Sequence, residues 1–260
     1  MSESGLSVKY ADLLKSVSMF VGYGSDVSKL ANAKVDEIDS YIQAGLRQFY
    51  YPPGVKGIEA GYEWSFLQPT TTIDTVADDA DQDLPDGLSR VHGGFYFEPQ
   101  ESVASIVVVS QGRILQLRQH DTDSSVPRYA AIRPKEQTAG AGQGMEVQWW
   151  PTPNDAYTLT YRYEAYQGKL TDDNIYPLGG MKYSELLTES CIAIAEQRAN
   201  DEAGLHTETF YRLLAAGIEL DRKTGAQSFG PMGMSSEIPE TLPRRNIGTS
   251  YDITYDGSTL

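Results

Sequence analysis

The spacing of apolar residues changes twice along this chain, and no other sequence feature restricts the fold as much. Apolar residues recur every three or four positions at 6–21, 34–51, 183–194 and 210–218. Between about 62 and 167, apolar and polar residues alternate instead. Three- to four-residue spacing is typical of an amphipathic helix, and alternation is typical of a half-buried strand. The sequence therefore predicts an α+β fold: a bundle of about four helices that is split by an inserted antiparallel β-sandwich or barrel domain.

The middle region contains short segments with strand character, separated by turn residues. The clearest is Tyr157–Tyr163, where Tyr and Leu occupy one face and Thr and Arg the other. Short strands at this spacing favour a sandwich or barrel. The predicted strands are Trp64–Ile73, Gly94–Glu98, Val103–Ser110, Ile114–Arg118, Arg128–Arg133, Met145–Trp150 and Tyr157–Tyr166. The predicted hairpin connections are Gln111–Gly112, Gly140–Gly144 and Pro151–Asp155.

Two small residues lie within the predicted helices. Gly45 interrupts the second helix, where a glycine costs about 1 kcal/mol relative to alanine. It can mark a close approach of another helix, but we favour simple tolerance. Cys191 falls on the apolar stripe of the third helix, so we expect a core residue rather than a reactive thiol.

The chain divides into four predicted parts. Residues 1–60 form the first part of a helical unit, 61–180 the β domain, 181–225 the second part of the helical unit, and 226–260 an extended C-terminal arm. The arm combines Gly, Pro, Ser and Thr with isolated apolar anchors, and extended segments of this kind can wrap a partner when they bind. The candidate partner-binding residues are Phe229, Met232, Met234, Ile238, Leu242, Arg244, Arg245, Ile247, Tyr251 and Tyr255.

Charge and composition exclude several classes of protein. The chain has 260 residues with 21 Lys and Arg against 36 Asp and Glu, a net charge of −15, which disfavours a protein that grips nucleic-acid phosphates. Its longest apolar run, Val103–Val109, is too short to span a membrane. It has one cysteine and no secretion-like N-terminus, so we expect assembly in the cytosol. The 17 tyrosines fit either an interface or a β-rich core.

No segment of the sequence matches the residue pattern that catalysis, cofactor binding or metal binding requires. The glycines of 140–144 lack the lysine of a phosphate-binding loop, and the three histidines have no zinc spacing. The acidic run 74–83 places Leu84 and Arg90 where a calcium loop requires Gly and Glu, so we expect a solvated loop. We predict no enzyme, no cofactor, no metal site and no catalytic residue.

Basic and tryptophan residues of the strand region give only weak signals for nucleic acid. The basic residues are interspersed, and we interpret them as solvent-facing positions or interfacial ion pairs. They are Arg113, Arg118, Arg128, Arg133, Lys135 and Arg162. Of the adjacent Trp149 and Trp150, we expect one in the core and one at an interface.

Several segments, taken in order, resemble the head-to-tail adaptor (connector or tail-tubular) proteins of tailed bacteriophages. The resemblance covers about residues 6–225. Each segment is weak alone, whereas their order and spacing are more specific. The segments are Leu46–Pro53, Tyr62–Leu67, Asp83–Val91, Pro127–Ala131, Trp150–Tyr163 and the helical pair from Tyr183 to Arg222.

The resemblance implies a structural virion protein at the junction of head and tail. Adaptors of that kind form a ring, commonly of twelve copies, under the portal protein. They contact a downstream tail or nozzle protein and leave a channel through which genomic DNA passes without sequence-specific binding. Their C-terminal segments often reach the portal. Alternatives that remain are a tail-completion or terminator protein, a carbohydrate-binding β module of a tail fibre, and a hydrolase that uses unassigned carboxylates.

Overall fold

The structure is a computed structural model. The part of the chain that it describes contains five α-helices and eleven strands. The helices are α1 (Tyr10–Phe20), α2 (Asn32–Tyr50), α3 (Gln111–His120), α4 (Ser184–Asn200) and α5 (Leu205–Thr224). The strands are β1 (Thr70–Asp74), β2 (Asp81–Asp83), β3 (Leu88–Phe97), β4 (Val107–Val108), β5 (Ser124–Ser125), β6 (Tyr129–Pro134), β7 (Met145–Trp150), β8 (Thr152–Pro153), β9 (Thr158–Ala165), β10 (Thr254–Tyr255) and β11 (Ser258–Thr259). The described residues are 3–54, 60–98, 104–120, 123–136, 142–224, 254–255 and 258–259.

Residues 1–225 form one compact unit and residues 226–260 a second one. Within the second unit, β10 and β11 pair in antiparallel fashion. The predicted division of the first unit at residues 60 and 180 stays a prediction. Among the residues that are described, no helix is both long and apolar enough to cross a membrane.

The larger apolar core lies among α1, α2, α4 and α5. Each helix contributes fully buried side chains, such as Leu13 of α1, Ile42 of α2, Leu187 of α4 and Leu214 of α5. Helix α2 comes before the strands and α4 after them, so the bundle is assembled from both sides of the insertion. The predicted α+β class, in which the helices pack together and the sheets are inserted between them in the chain, is therefore confirmed.

Helices α2 and α4 approach each other closely at Gly45 and Cys191. A Cβ atom added at Gly45 would lie 2.6 Å from the Cα atom of Cys191, which no real side chain tolerates. The neighbouring Ser190 hydroxyl donates a hydrogen bond of 2.8 Å to the Gly45 carbonyl oxygen. Close approach is thus the correct interpretation of this glycine, and simple tolerance is wrong. Cys191 is fully buried as predicted, and burial raises its thiol pKa to about 12.

Aromatic side chains extend the bundle core to the start of the β region. The Trp64 indole N–H donates to the Phe49 carbonyl oxygen at 3.0 Å, and the two rings stack with centroids 5.0 Å apart. Tyr183 and Phe66 pack against the same indole. Trp64 therefore belongs to the helical core rather than to a strand. The predicted strand Trp64–Ile73 is a short 3-10 helix, Ser65–Leu67, followed by β1.

Two larger sheets in the β region share a second apolar cluster, and β5 and β8 form a separate parallel pair. One sheet has the strand order β1-β9-β3 and is antiparallel, and the other has the order β2-β7-β6-β4 with a parallel β4–β6 pair. Phe95 of β3, Trp149 of β7 and Tyr161 of β9 are fully buried between them. The centroid of the Phe95 ring lies about 5 Å from the centroid of each of the other two rings. One tryptophan of the Trp149–Trp150 pair is thus in the core, as expected.

The predicted strand Ile114–Arg118 and the predicted turn at Gln111–Gly112 are wrong, because both lie in α3. Ser110 caps this helix through its hydroxyl, which accepts the Arg113 N–H at 3.4 Å. The segment consists mainly of good helix formers, and Ile114 is buried against β6 and β7. A serine before Gln, Arg and Leu residues is the signal that identifies this helix.

Other predicted boundaries change as well. Gly94–Glu98 is the end of the longer strand β3, in which irregular pairing and the glycines at 93 and 94 hide the alternation. Pro151–Asp155 is not a hairpin, because β7 and β9 belong to different sheets. Helix α1 begins at Tyr10, so Leu6 is an exposed residue ahead of it. The remaining strands match closely, except that β4 contains only Val107–Val108 of the predicted Val103–Ser110, with Ile106 in an isolated antiparallel bridge to Phe95.

The turn between α4 and α5 is held by a buried carboxylate, Glu196. One of its oxygens accepts the Gly204 and Thr207 N–H groups and the Thr207 hydroxyl, each at 3.0 Å. This carboxylate caps the N-terminus of the following helix, and its negative charge interacts favourably with the positive end of the helix dipole. Burial raises the pKa of Glu196, but hydrogen bonds from Thr207, His206 and Gly204 outweigh burial and lower it below the ordinary value of 4.5.

We predict that Gly45→Ala lowers the free energy of unfolding by about 1–3 kcal/mol, because the new methyl group forces α2 and α4 apart. The matched control is Gly112→Ala in α3, where nothing lies within 4 Å of the added Cβ. Urea unfolding should show the control to be neutral or slightly more stable. Equal stability of the two variants would show that the Gly45 contact is not tight.

Glu196→Gln should make stability less dependent on acid pH. A lowered carboxyl pKa in the folded state contributes stability above pH 4.5, and this contribution is lost as the pH falls through the folded-state value. Urea unfolding from pH 7 to pH about 3 measures this slope. The exposed Glu219→Gln should keep the wild-type slope, and an unchanged slope in Glu196→Gln would contradict the cap.

Candidate partner-binding surfaces

The last turn of α5, from which residues 225–260 continue, is fixed by the buried Asp221. Its carboxylate accepts the Ser65 N–H at 2.9 Å, the Ser65 hydroxyl at 2.7 Å and the Tyr62 hydroxyl at 2.9 Å. Tyr183 adds a hydroxyl at 3.3 Å. Burial and the hydrogen bond to Asp221 raise the pKa of Tyr62 to about 12. The end of α5 is therefore tied to both the start and the end of the β insertion.

Most of the predicted arm contacts cannot be placed. Nine of the ten residues lie outside the described part of the chain: Phe229, Met232, Met234, Ile238, Leu242, Arg244, Arg245, Ile247 and Tyr251. The tenth, Tyr255, lies in β10. Their role in binding stays a prediction.

A groove of about 550 Å³ lies between α2, the end of α4 and the segment that follows β9. We call it the arginine groove. Tyr51 and Tyr166, each about half exposed, pack together at 6.0 Å between ring centroids on its wall. Burial and the neighbouring Tyr166 and Glu164 raise the pKa of Tyr51 to about 12, so its phenol is neutral. The lining residues used below are Arg47, Tyr51, Tyr166, Lys169 and Arg198.

Positive charge dominates the arginine groove, although the chain as a whole is acidic. Lys169 pairs with Asp39 at 2.8 Å. Arg47 and Arg198 are exposed and form no ion pair with any carboxylate in the described ranges. Arg198 lies over the Tyr41 ring at 5.9 Å. Two unpaired guanidinium groups beside exposed phenol rings suit an acidic protein surface.

The floor of the arginine groove is rigid because Asp39 collects donors from three segments. Its carboxylate accepts the Tyr10 hydroxyl of α1 at 2.7 Å and the Gln43 amide of α2 at 2.9 Å, besides the Lys169 ammonium. Burial raises the pKa of Asp39, but these donors, Lys169 first, lower it overall. The groove is thus preformed at the junction of bundle and sheet.

Within the acidic run 74–83, residues 75–80 form a firmly held loop between β1 and β2. The Thr75 N–H donates to the Tyr157 carbonyl at 3.0 Å, and the Asp78 N–H donates to the Pro153 carbonyl at 2.8 Å. Asp78 has a left-handed backbone, with φ of 60°. Val76, at the turn, is 52% exposed. We call residues 75–80 the acidic tip.

Basic residues of the strand region pair within the chain. Arg118 of α3 donates to Asp81 and to the Trp149 carbonyl, at 2.6 and 3.1 Å. Arg133 pairs with Glu146, and Lys135 with Asp83. These three side chains thus have ion-pair partners on strands of the same subunit, and an additional role at an interface stays a prediction.

An exposed apolar area lies where the N-terminal segment crosses the residues before α4. The Tyr10 N–H donates to the Ile175 carbonyl, and the Val8 N–H to the Ser184 hydroxyl. The exposed apolar side chains there are Leu6, Ile175, Leu178 and Met181. Sequence reasoning missed this area and the arginine groove, since both combine residues that are far apart in the chain.

Residues with metal-binding or nucleophilic chemistry do not come together. Within the described residues, no group of three or more His, Cys, Asp or Glu side chains could hold a metal ion. Cys191 is buried, and His206 pairs with Glu189 at 2.8 Å. Trp64 and Trp149, two of the three tryptophans, are fully buried, whereas a carbohydrate groove would expose them.

Comparison with known families decides among these alternatives. The sequence profile described as SU10 adaptor protein matches residues 8–234, a stretch that includes all five helices and both sheets. The chain belongs to the SU10 adaptor protein family. It is therefore a phage head-to-tail adaptor, a structural virion protein from a family that is not enzymatic. No curated protein matches the chain.

The family match covers only the first part of the predicted arm. It includes Phe229, Met232 and Met234 and ends before Ile238. As an adaptor, the protein binds other virion proteins.

We predict that Asp221→Ala lowers the free energy of unfolding by about 2–3 kcal/mol, because it leaves buried donors without an acceptor. It should also lower the pKa of Tyr62 from about 12, since one cause of the raised value is removed. Urea unfolding and the ultraviolet absorbance of tyrosinate measure the two effects. Exposed Glu219→Ala on the same helix should change neither, and normal stability of Asp221→Ala would refute the role assigned to Asp221.

Proposed function

We propose that copies of this chain form a ring beneath the portal protein, commonly twelve in such adaptors, that joins the capsid to the tail. The observation that carries the proposal is the family match across bundle and sheets. The ring contacts the portal on one side and a downstream tail or nozzle protein on the other. Its centre leaves a channel for genome passage and DNA ejection.

The subunit has two exposed surfaces that differ from each other, which supports a ring. A cyclic ring needs a heterologous contact, in which one surface of each subunit fits a different surface of its neighbour. The arginine groove and the acidic tip are two such surfaces, and they differ in charge and shape. The apolar area around Leu6 and Met181 is available for a further partner.

The acidic balance of the chain supports a channel that does not retain DNA. With a net charge of −15, a ring of copies repels phosphates wherever its carboxylates face the lumen. DNA can then slide during packaging and ejection rather than bind. No base-reading element is required for this role.

Residues 226–260 form the portal-binding arm in this proposal. Their anchors are widely spaced among Gly, Pro and Ser, so an extended segment can lie across a partner and use main-chain hydrogen bonds. The Asp221 cluster supports this role because it holds the last turn of α5 in one position. An arm that starts from a fixed point loses less entropy when it binds.

We predict that deletion of residues 226–260 leaves a folded subunit but abolishes attachment to the portal. The two hydrophobic clusters consist of residues between 8 and 218, so the core remains. Circular dichroism and urea unfolding measure folding, and the particle mass with and without portal measures attachment.

A matched control replaces only Arg244 and Arg245 with alanine, which keeps the length of the arm. Weaker attachment of this variant would assign part of the binding to those side chains. Portal attachment by the shortened chain would disprove the role of the arm, and a ring that binds the tail tube but not the portal would indicate a tail-completion protein.

A further inference from the structure

The arginine groove and the acidic tip lie at opposite ends of the same strand. Asp74, which leads into the tip, pairs with Thr158 at the start of β9, and Tyr166 of the groove follows the end of β9. A strand of eight residues spans about 25 Å, so the tip of one subunit is remote from its own groove. Any contact between the two features must join different subunits.

The two features are complementary in charge. The groove carries Arg47 and Arg198, whose guanidinium groups have no carboxylate partner among the described residues. The tip carries Asp78 and Asp79, and in the same ranges neither carboxylate pairs with a cation. The Asp78 carboxylate accepts the Ser124 hydroxyl at 2.9 Å, and the Asp79 carboxylate accepts the Asp81 N–H at 3.3 Å.

The shape and rigidity of the acidic tip and the arginine groove also favour contact between them. The tip is preorganised by main-chain hydrogen bonds at Thr75 and Asp78, so it loses little freedom on docking. It presents Val76 at its turn, and the groove presents the Tyr51 and Tyr166 rings. An apolar side chain between phenol rings, with ion pairs at the rim, is the usual composition of a specific interface.

We propose that the acidic tip of each subunit docks into the arginine groove of the next copy and that this contact closes the ring. The inference rests on the proposed ring and adds its contact surface. Because each subunit has one tip and one groove, the contact is heterologous and repeats around the assembly.

The test is thiol crosslinking of the full-length chain in the assembled particle, whose mass establishes that a ring is present. The double variant V76C/Y166C, treated with a short bis-maleimide, should give a ladder of covalent multimers up to the full ring on a denaturing gel. V76C alone and Y166C alone should stay monomeric, since each contact then has one thiol. Cys191 is buried and adds no background.

The outcomes separate this inference from the proposed function. A ring of normal mass without a ladder, although both new thiols react with a maleimide dye in the free subunit, overturns the contact and assigns the groove to another virion protein. Absence of any ring overturns the ring proposal together with this contact.

Charge reversal gives a second measurement that does not depend on introduced thiols. R47E/R198E should raise the concentration needed for ring formation by about tenfold or more. Adding D79R in the same chain should recover part of the loss. The matched control K15E/R212E changes the net charge equally at exposed positions on α1 and α5, and identical behaviour of R47E/R198E and this control would refute the contact.

Discussion

The contact between Gly45 and Cys191 joins two helices that are separated in sequence by the whole β region. Without a side chain at Gly45, α2 and α4 approach until Cys191 fills the space, and Ser190 adds a hydrogen bond to the backbone. Both ends of the insertion are then anchored on one rigid pair of helices. The aromatic cluster around Trp64 and the remaining bundle helices are built on that pair.

Three buried or half-buried carboxylates position the exposed features relative to this core. Glu196 fixes the start of α5, Asp221 fixes its end, and Asp39 fixes the floor of the arginine groove. Each carboxylate accepts several hydrogen bonds, most of them from other segments, which is how a charged group remains stable away from water.

The sequence predicted the fold class well because the periodicity of apolar residues reports burial directly, as in β9, where Leu159 and Tyr161 are buried. It failed at α3, where a short segment with only Ile114 fully buried gave no helical stripe, and at β3, where glycines and irregular pairing disturb the alternation. The family resemblance was found from segment order. The arginine groove could not be found, because Arg47, Tyr166 and Arg198 meet only through tertiary packing.

The chain enters and leaves the β region side by side. Pro69 and Tyr163 are joined by a main-chain hydrogen bond, and Tyr50 of α2 contacts Gln167 shortly after the last strand. A module whose two connections are adjacent can be exchanged for another without rebuilding the helices beneath it. Replacement of the sheets therefore changes what this part of the subunit presents, while the helical bundle is inherited unchanged.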